Sequence, residues 1–352
     1  MLQDKYRPET LADMDRIPAA RILSALPFSS ISNIIFVGPE GAGKRTLFSA
    51  FLKHTFGTTS SFFSYTSTLE VSPSKSIEVE ILESKEVMEI KLDGLGTYDK
   101  KVLQKIATDI SATKSIKNLI KAHEHDQNSE NSAPMPGKAM HPKILLIPDG
   151  HLLSTGAQMA LRRILEKGAA NFQLVLLTTT LSHIIPAFKS RFLVCRVPAP
   201  SRNDIASLVS RISAQEKVDI SEDTCTEIVD MSGRNMRIAL SIMELAVHKE
   251  PISISPWDMT IRDIVRGVQI TPSVKCLVEI RALLYSLLCN HLPATYIVES
   301  ILQGVLKNEK KVEKARKITE IASKYTARLG AGTKDLFHIE AFVANLMSLY
   351  GK

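Results

Sequence analysis

Residues 38–46 read GPEGAGKRT, a run in which three glycines precede a lysine. Glycines let backbone N–H groups turn inward around phosphate oxygens, and a lysine adds a full positive charge. An apolar, β-branched segment precedes the run and an apolar helical pattern follows it, as a phosphate-binding loop requires. The sequence therefore predicts a site for ATP or ADP. Its loop residues are Gly38, Pro39, Gly41, Ala42, Gly43, Lys44, Arg45 and Thr46.

Two positions depart from the chemistry that hydrolysis requires. The residue after the lysine is normally a Ser or Thr whose hydroxyl binds Mg²⁺, but here it is Arg45, and Thr46 lies one residue late, about 100° around a helix. The apolar run 143–147 is followed by Pro148 and Asp149, a degenerate Walker B motif without the Asp–Glu pair that steadies the metal and polarises water. We expect Mg²⁺ to be weak or absent at this site, and nucleotide to be bound but barely hydrolysed.

Alternating strand and helix patterns are expected to position these residues. Short apolar runs typical of buried strands cover 31–37, 88–92, 143–147, 173–178 and 192–197, and helical periodicity covers 46–54 and 157–167. This alternation predicts an α/β domain with a parallel sheet covered on both faces.

The pattern changes after Pro200. Ser201 can cap a helix that reaches residue 215, and helical patterns follow at 221–231, 235–248 and through most of 261–350. We predict three parts, which are an α/β domain over 1–198, a small helical domain over 199–255 and a helical C-terminal domain over 256–352. The polar stretch 123–142, rich in Asn, Ser and Pro, predicts a surface loop.

Composition limits the function classes. The formal net charge is +7 and the pI about 9.1, compatible with a nucleic-acid partner without requiring one. The four cysteines form no CxxC pair and no Cys/His group with zinc spacing, so no protein metal site is predicted. No apolar run is long enough for a membrane helix, and the N-terminus does not resemble a secretory signal. We expect an intracellular protein with no membrane partner.

Motifs along nearly the whole chain resemble those of the AAA+ sliding-clamp loaders, and specifically replication factor C. Residues 4–8 (DKYRP) resemble the adenine-side motif, and Ser190-Arg191 resembles a Ser-Arg-Cys motif with Phe192 in third place. Residues 234–240 resemble the sensor-2 helix, and 339–350 resemble the collar domain. Within this family the chain resembles the small subunits whose own ATP site is non-catalytic.

The resemblance implies roles for particular residues. It identifies 1–198 as the AAA+ domain, 199–255 as the lid and 256–352 as the oligomerisation collar. It implies that Tyr6, Arg7, Pro8 and Arg237 bind nucleotide, and that Thr179 falls near the sensor-1 position. It also implies that Arg191 is an arginine finger, which acts in trans on the ATP site of a neighbouring subunit.

The resemblance further implies partners and a location. The expected partners are four other replication factor C subunits in a heteropentamer, the sliding clamp (proliferating cell nuclear antigen) and primer–template DNA, in the nucleus during DNA replication and repair. Lys100, Lys101 and Lys105 begin a helix expected to be capped by Asp99, and the family implies that this helix start faces DNA.

Other functions remain open from the sequence. An active ATPase of the same loader would need Asp149 and Thr46 to replace the missing groups. A small-molecule kinase would need a hydroxyl after Lys44 and an acidic ligand after the central strand, and both are missing. A scaffold without nucleotide is a further alternative, which bound ADP or ATP would exclude.

Overall fold

The structure is a computed structural model that describes residues 1–14, 16–25, 33–57, 62–72, 75–92, 95–110, 143–168, 172–218, 220–248, 256–270, 272–332 and 334–351. The chain forms two compact units, Met1–Pro251 and Ile252–Lys352. We call them the first and the second unit. The finer division of the first unit at residue 198 stays a prediction, and the polar stretch 123–142 lies outside the described residues.

Seven strands form one sheet in the described part of the first unit. They are β1 Ile34–Val37, β2 Phe63–Ser72, β3 Lys75–Glu83, β4 Val87–Ile90, β5 Lys143–Ile147, β6 Phe172–Thr178 and β7 Leu193–Arg196. Their order is β2-β3-β4-β5-β6-β1-β7. The neighbours from β4 to β7 pair in parallel, whereas β2–β3 and β3–β4 are antiparallel.

The α/β prediction is confirmed, but the sheet is mixed rather than wholly parallel. The β2–β3 hairpin extends one edge, and its strands were not predicted. On the edge strand β2, Phe63 is 70% exposed and Tyr65 is 43% exposed. The hairpin therefore has little of the continuous apolar character that identifies a central strand.

Helices cover both faces of the sheet. In chain order, the helices described up to β7 are α1 Leu2–Lys5, α2 Pro18–Ala25, α3 Lys44–Phe56, α4 over residues 99–110, α5 Thr155–Gly168 and α6 Pro186–Lys189. Successive side chains of a strand point to opposite faces. Accordingly, Ile34 and Phe36 join a core with α2 and α3, while Ile35 joins a second core with α4 and α5. The prediction of a doubly covered sheet is confirmed.

Three further helices follow β7 in the described part of the first unit, namely α7 Arg202–Glu216, α8 Glu222–Met231 and α9 Met236–Val247. The predicted cap at Ser201 is confirmed, because its hydroxyl accepts from Asp204 N–H while the Asp204 carboxylate accepts from Ser201 N–H. Asn235 caps α9 by accepting from the N–H groups of Arg237 and Ile238.

The second unit is built from helices in its described residues, as predicted. The helices are α10 Pro256–Ile270, α11 Val274–Cys289, α12 Ala294–Asn308, α13 Val312–Ala331 and α14 Asp335–Tyr350. They enclose a core that includes Ile264, Leu284, Ile301, Ile318 and Phe342. Across the described ranges of both units, no helix has the length and apolar character needed to cross a membrane.

Candidate functional site

The predicted phosphate loop connects β1 to α3 and borders a cavity of about 890 Å³. Gly38 N–H donates to the Thr178 carbonyl oxygen of β6 (3.2 Å), which fixes the start of the loop against the sheet. Because α3 begins at Lys44, its first turn and the unsatisfied N–H groups there lie at the cavity wall. The loop residues that line the cavity are Glu40, Gly41, Ala42, Gly43, Lys44, Arg45 and Thr46.

Lys44 folds back over the loop. Its Nζ donates to the carbonyl oxygens of Gly38 (2.6 Å) and Pro39 (2.9 Å), two loop residues that are not among those lining the cavity. Burial lowers the pKa of Lys44, and the charge of Arg237 lowers it further, while Glu40 and Asp149 act in the opposite direction. A partly desolvated cation beside a second cation favours an anionic ligand, so the cradle fits a phosphate group.

The apex of the loop is joined to α9. Met236 N–H donates to the Gly41 carbonyl oxygen (3.2 Å), and the Asn235 side-chain amide lies directly against Gly41. Gly41 has a positive φ of 66°, and a Cβ placed there would lie 1.7 Å from Asn235 Oδ1. Only glycine fits this position without displacing the cap of α9.

Arg45 is occupied by an ion pair that the sequence did not predict. Its Nη2 lies 2.7 Å from Oε2 of Glu89, a β4 residue only 1% exposed. The other carboxylate oxygen, Glu89 Oε1, is buried and has no hydrogen-bond partner within the described ranges. Burial raises the pKa of Glu89, against the opposing effect of the Arg45 charge. Arg45 thus stands at the sequence position where a metal-binding hydroxyl is usual. Its guanidinium instead pairs with a buried carboxylate beside the phosphate cradle.

The residues after β5 also line the cavity, namely Pro148, Asp149 and His151. Proline provides no side-chain ligand, whereas the Asp149 carboxylate is close enough to influence the pKa of both Lys44 and Glu89. His151 Nδ1 is buried, again without a hydrogen-bond partner among the described residues. Within those ranges, no group of three or more His, Cys, Asp or Glu side chains could hold a metal ion. Mg²⁺ beside a nucleotide takes one or two protein oxygens together with phosphate oxygens. At this wall Asp149 supplies a carboxylate, Pro148 supplies no side-chain ligand, and Arg45 carries a positive charge that disfavours a metal ion.

The N-terminal segment forms another wall of the cavity, through Tyr6, Arg7 and Pro8. The Tyr6 hydroxyl donates to Oε1 of Glu216 (2.6 Å), which also accepts from Lys5 Nζ (2.7 Å). These two bonds link the N-terminal segment to the end of α7. The N-terminal segment and α7 therefore lie together at the part of the cavity where the adenine base is predicted to bind.

Arg237 lines the same cavity together with Met236 and Leu240 of α9. The predicted sensor-2 residue is therefore brought to the phosphate loop, and Thr179 near the sensor-1 position also borders the cavity. Sequence reasoning missed Arg16, whose Nη2 donates to the Ala42 carbonyl oxygen (2.9 Å) and whose pKa is lowered by burial. A lone arginine in an irregular segment carries no motif that would have identified it.

Arg191 is separate from the cavity-lining residues and lies between α6 and β7. Its guanidinium forms an ion pair with Glu166 Oε1 and donates to the Ala187 carbonyl oxygen (2.5 Å). Glu166 also accepts from Arg162 Nε (3.0 Å). Phe192, in place of the family cysteine, packs edge-on against Phe188 with ring centroids 4.8 Å apart. The arginine therefore extends from a firmly packed loop.

Lys100, Lys101 and Lys105 are exposed on α4. Asp99 was expected to cap this helix, and its side chain does bond the first turn, although its own backbone is helical. Asp99 is buried with helical backbone angles, and a 3₁₀ turn precedes it at Gly96–Tyr98. Its carboxylate accepts from Lys100 N–H and from both N–H and Oγ of Ser154. Asp99 thus fastens the start of α4 to the segment before α5.

Similar proteins are found by sequence over nearly the whole chain. The chain is 28% identical over 359 residues to replication factor C subunit 3 of Mus musculus, covering 99% of this chain and 96% of that protein. It is 29% identical over 363 residues to replication factor C subunit 5 of Saccharomyces cerevisiae, covering 98% of each. Residues 257–352 match the family model described as replication factor C subunit 3, C-terminal domain. The resemblance to this family is therefore confirmed.

A solved structure that resembles the chain is the RuvB Holliday junction branch migration motor of Thermotoga maritima. It is 15% identical, with a TM-score of 0.46, over 75% of this chain and 79% of that one.

Proposed function

We propose that the chain is a nucleotide-binding, non-hydrolysing subunit of a replication factor C clamp loader. In this proposal it assembles with four other subunits in the nucleus, and the complex uses ATP to load the sliding clamp, proliferating cell nuclear antigen, onto primer–template DNA in replication and repair. The supporting observation is similarity to replication factor C subunits 3 and 5 across 98–99% of the chain, including the C-terminal domain.

The nucleotide, ATP or ADP, would be held by the phosphate loop. Lys44 Nζ would exchange its bonds to backbone carbonyls for phosphate oxygens, and Arg237 would add a second charge from α9. Tyr6, Arg7 and Pro8 would enclose the base. The partly desolvated Lys44 amine and the N-terminus of α3 support this assignment, since both favour an anion.

The observation that argues most strongly against hydrolysis at this site is the Arg45–Glu89 ion pair. Phosphoryl transfer depends on charges placed around the γ-phosphate and the attacking water. Here a guanidinium stands in place of the metal-binding hydroxyl and Pro148 in place of a metal-binding carboxylate. The alternative, an active ATPase, is favoured only by the presence of Thr46 and Asp149 at the cavity wall.

A turnover assay on the isolated full chain separates these functions. We expect ATP and ADP to bind, Lys44→Ala to weaken binding at least about tenfold, and turnover to stay at background in both proteins. ATP turnover that Lys44→Ala abolishes would favour the active enzyme. Absence of nucleotide binding would favour the scaffold.

The chemical contribution of the chain would instead come from Arg191 acting on a neighbouring ATP site. Arginine fingers stabilise charge that develops on the transferred phosphoryl group, and their loss costs on the order of 10³-fold or more in rate. Its place outside the cavity supports a role in trans.

This role is tested in the reconstituted five-subunit complex. Arg191→Ala should lower DNA-stimulated ATP turnover severalfold or more, while this chain's own nucleotide affinity stays unchanged. The matched control is Arg162→Ala, which removes the other guanidinium bound to Glu166. Equal effects of the two substitutions would argue against the finger.

A further inference from the structure

The Arg45–Glu89 pair consists of two side chains at the wall of one cavity. Arg45 belongs to the first turn of α3, and its side chain is 48% exposed, whereas that of Glu89 is 2% exposed. The guanidinium thus contacts a buried anion on one side and is accessible from the cavity on the other. The buried carboxylate therefore holds the guanidinium in place while its other side can contact a ligand in the cavity.

The Arg45 charge opposes the effect of burial on Glu89. Burial disfavours a carboxylate and raises the pKa of Glu89, and the nearby Asp149 charge raises it further. An unpaired buried charge is strongly destabilising, whereas a paired one with good geometry is tolerated. The 2.7 Å contact with Arg45 provides that pairing. The ion pair therefore fixes the position of both side chains.

A divalent cation has no comparable place. Mg²⁺ requires near-octahedral oxygen coordination with one or two carboxylates free to bind it. One oxygen of Glu89 is bound by Arg45, Pro148 has no side-chain ligand, and Asp149 is the remaining carboxylate at this part of the wall. The Arg45 charge would repel a metal ion placed between Asp149 and the phosphates.

Side-chain cations are available to neutralise phosphate instead. Lys44, Arg45 and Arg237 all line the cavity, and the effect of Arg237 on the pKa of Lys44 indicates that their charges are close. Arginine suits phosphate because its planar, permanently charged guanidinium can donate two parallel hydrogen bonds.

We propose that this site binds nucleoside di- or triphosphate without a divalent cation, with Arg45, held in place by Glu89, taking the role of the metal. This inference rests on the proposed nucleotide-binding function, and it names Arg45 and Glu89 as the residues that make nucleotide binding independent of Mg²⁺.

The first test needs no variant. ADP carrying a fluorescent N-methylanthraniloyl group is titrated into the full chain in excess Mg²⁺ and in excess EDTA. We expect dissociation constants that agree within about twofold. Binding that weakens about tenfold or more in EDTA overturns the metal-independence proposal and leaves nucleotide binding intact. Absence of binding in both buffers overturns the proposed nucleotide function and this inference with it.

Three variants then test the residues. Arg45→Thr restores the hydroxyl, so binding in EDTA should weaken at least about tenfold and Mg²⁺ should recover part of the loss. Arg45→Lys keeps the charge and should remain independent of Mg²⁺. Glu89→Gln keeps the side-chain volume but releases the guanidinium, so affinity should fall by a similar factor in both buffers. An Arg45→Thr protein with wild-type affinity in EDTA would refute the role of Arg45.

Discussion

The contact between the phosphate loop and α9 can be measured through Gly41. Gly41→Ala imposes two costs, because the residue has φ of 66° and because its new Cβ would lie 1.7 Å from Asn235 Oδ1. A left-handed conformation costs an L-residue roughly 1–2 kcal/mol. Displacing the Asn235 side chain also removes the cap of α9, worth about 1 kcal/mol. We therefore expect a loss of about 2–3 kcal/mol in the free energy of unfolding.

Gly57 provides the matched control. It has φ of 73°, and a Cβ there would meet nothing within 4 Å. Gly57→Ala thus carries the conformational cost alone, and the two substitutions should differ by about 1 kcal/mol. In an Asn235→Gly background the obstructing amide is absent, so Gly41→Ala should cost no more than Gly57→Ala. A double-mutant cycle between Gly41 and Asn235 should therefore give a coupling free energy of about 1 kcal/mol.

The assay is urea unfolding of the full chain followed by far-UV circular dichroism, with hydrogen exchange resolved by peptide to locate the effect. The first turn of α9 should exchange about fivefold faster in Gly41→Ala than in Gly57→Ala. Equal losses at Gly41 and Gly57, or no relief in the Asn235→Gly background, would refute the proposed contact.

Three further predictions concern the Cys195 thiol and the lysines of α4. Burial raises the pKa of Cys195 to about 11, so at pH 8 its thiolate fraction should be on the order of 10⁻³. Iodoacetamide should label the exposed Cys289 far faster by peptide mass spectrometry, and similar rates would contradict this prediction. Folding raises the pKa of this thiol from about 8.5 to about 11, so the folded state favours the protonated form. The free energy of unfolding should therefore be unaffected by Cys195 below about pH 8.5 and should fall as the pH rises from there through about 11. If the chain serves in the proposed loader with α4 facing DNA, replacing Lys100 and Lys101 by Ala should reduce the slope of log binding constant against log salt concentration for primer–template. The expected reduction is about 1.8, because each lost phosphate contact contributes about 0.9. The exposed lysine pair 310–311 is the control, and an unchanged slope after the α4 substitutions would count against a DNA-facing role.

The helices of this chain were predictable because their signals are local. Ser201 and Asn235 identify helix starts by residue type alone, since a cap accepts from N–H groups only two or three positions ahead. The central strands were predictable because parallel strands covered on both faces are continuous apolar runs. The edge hairpin β2–β3 lacks that signal, because β3 alternates buried Val79 and Ile81 with charged residues rather than forming a continuous apolar run.

The sequence signal for the phosphate-binding loop is also local. Residues 38–46 carry the glycines, the lysine and the departure at Arg45 within nine consecutive positions, so their sequence alone indicated a nucleotide site without the usual metal-binding hydroxyl. Nothing in that segment identifies the partner of Arg45. A carboxylate within the apolar strand β4 was the available signal, since a buried charge requires a compensating one.

Tertiary structure alone decided which distant groups meet. Arg45 pairs with Glu89 across 44 positions, Gly41 meets the cap of α9, and Arg191 contacts Glu166. The sequence determined which residue types could bind phosphate, because those types act through charge and local backbone geometry. The fold determined that Arg45 is anchored by a buried carboxylate, because contacts between elements far apart in the chain depend on the packing of the sheet and its helices.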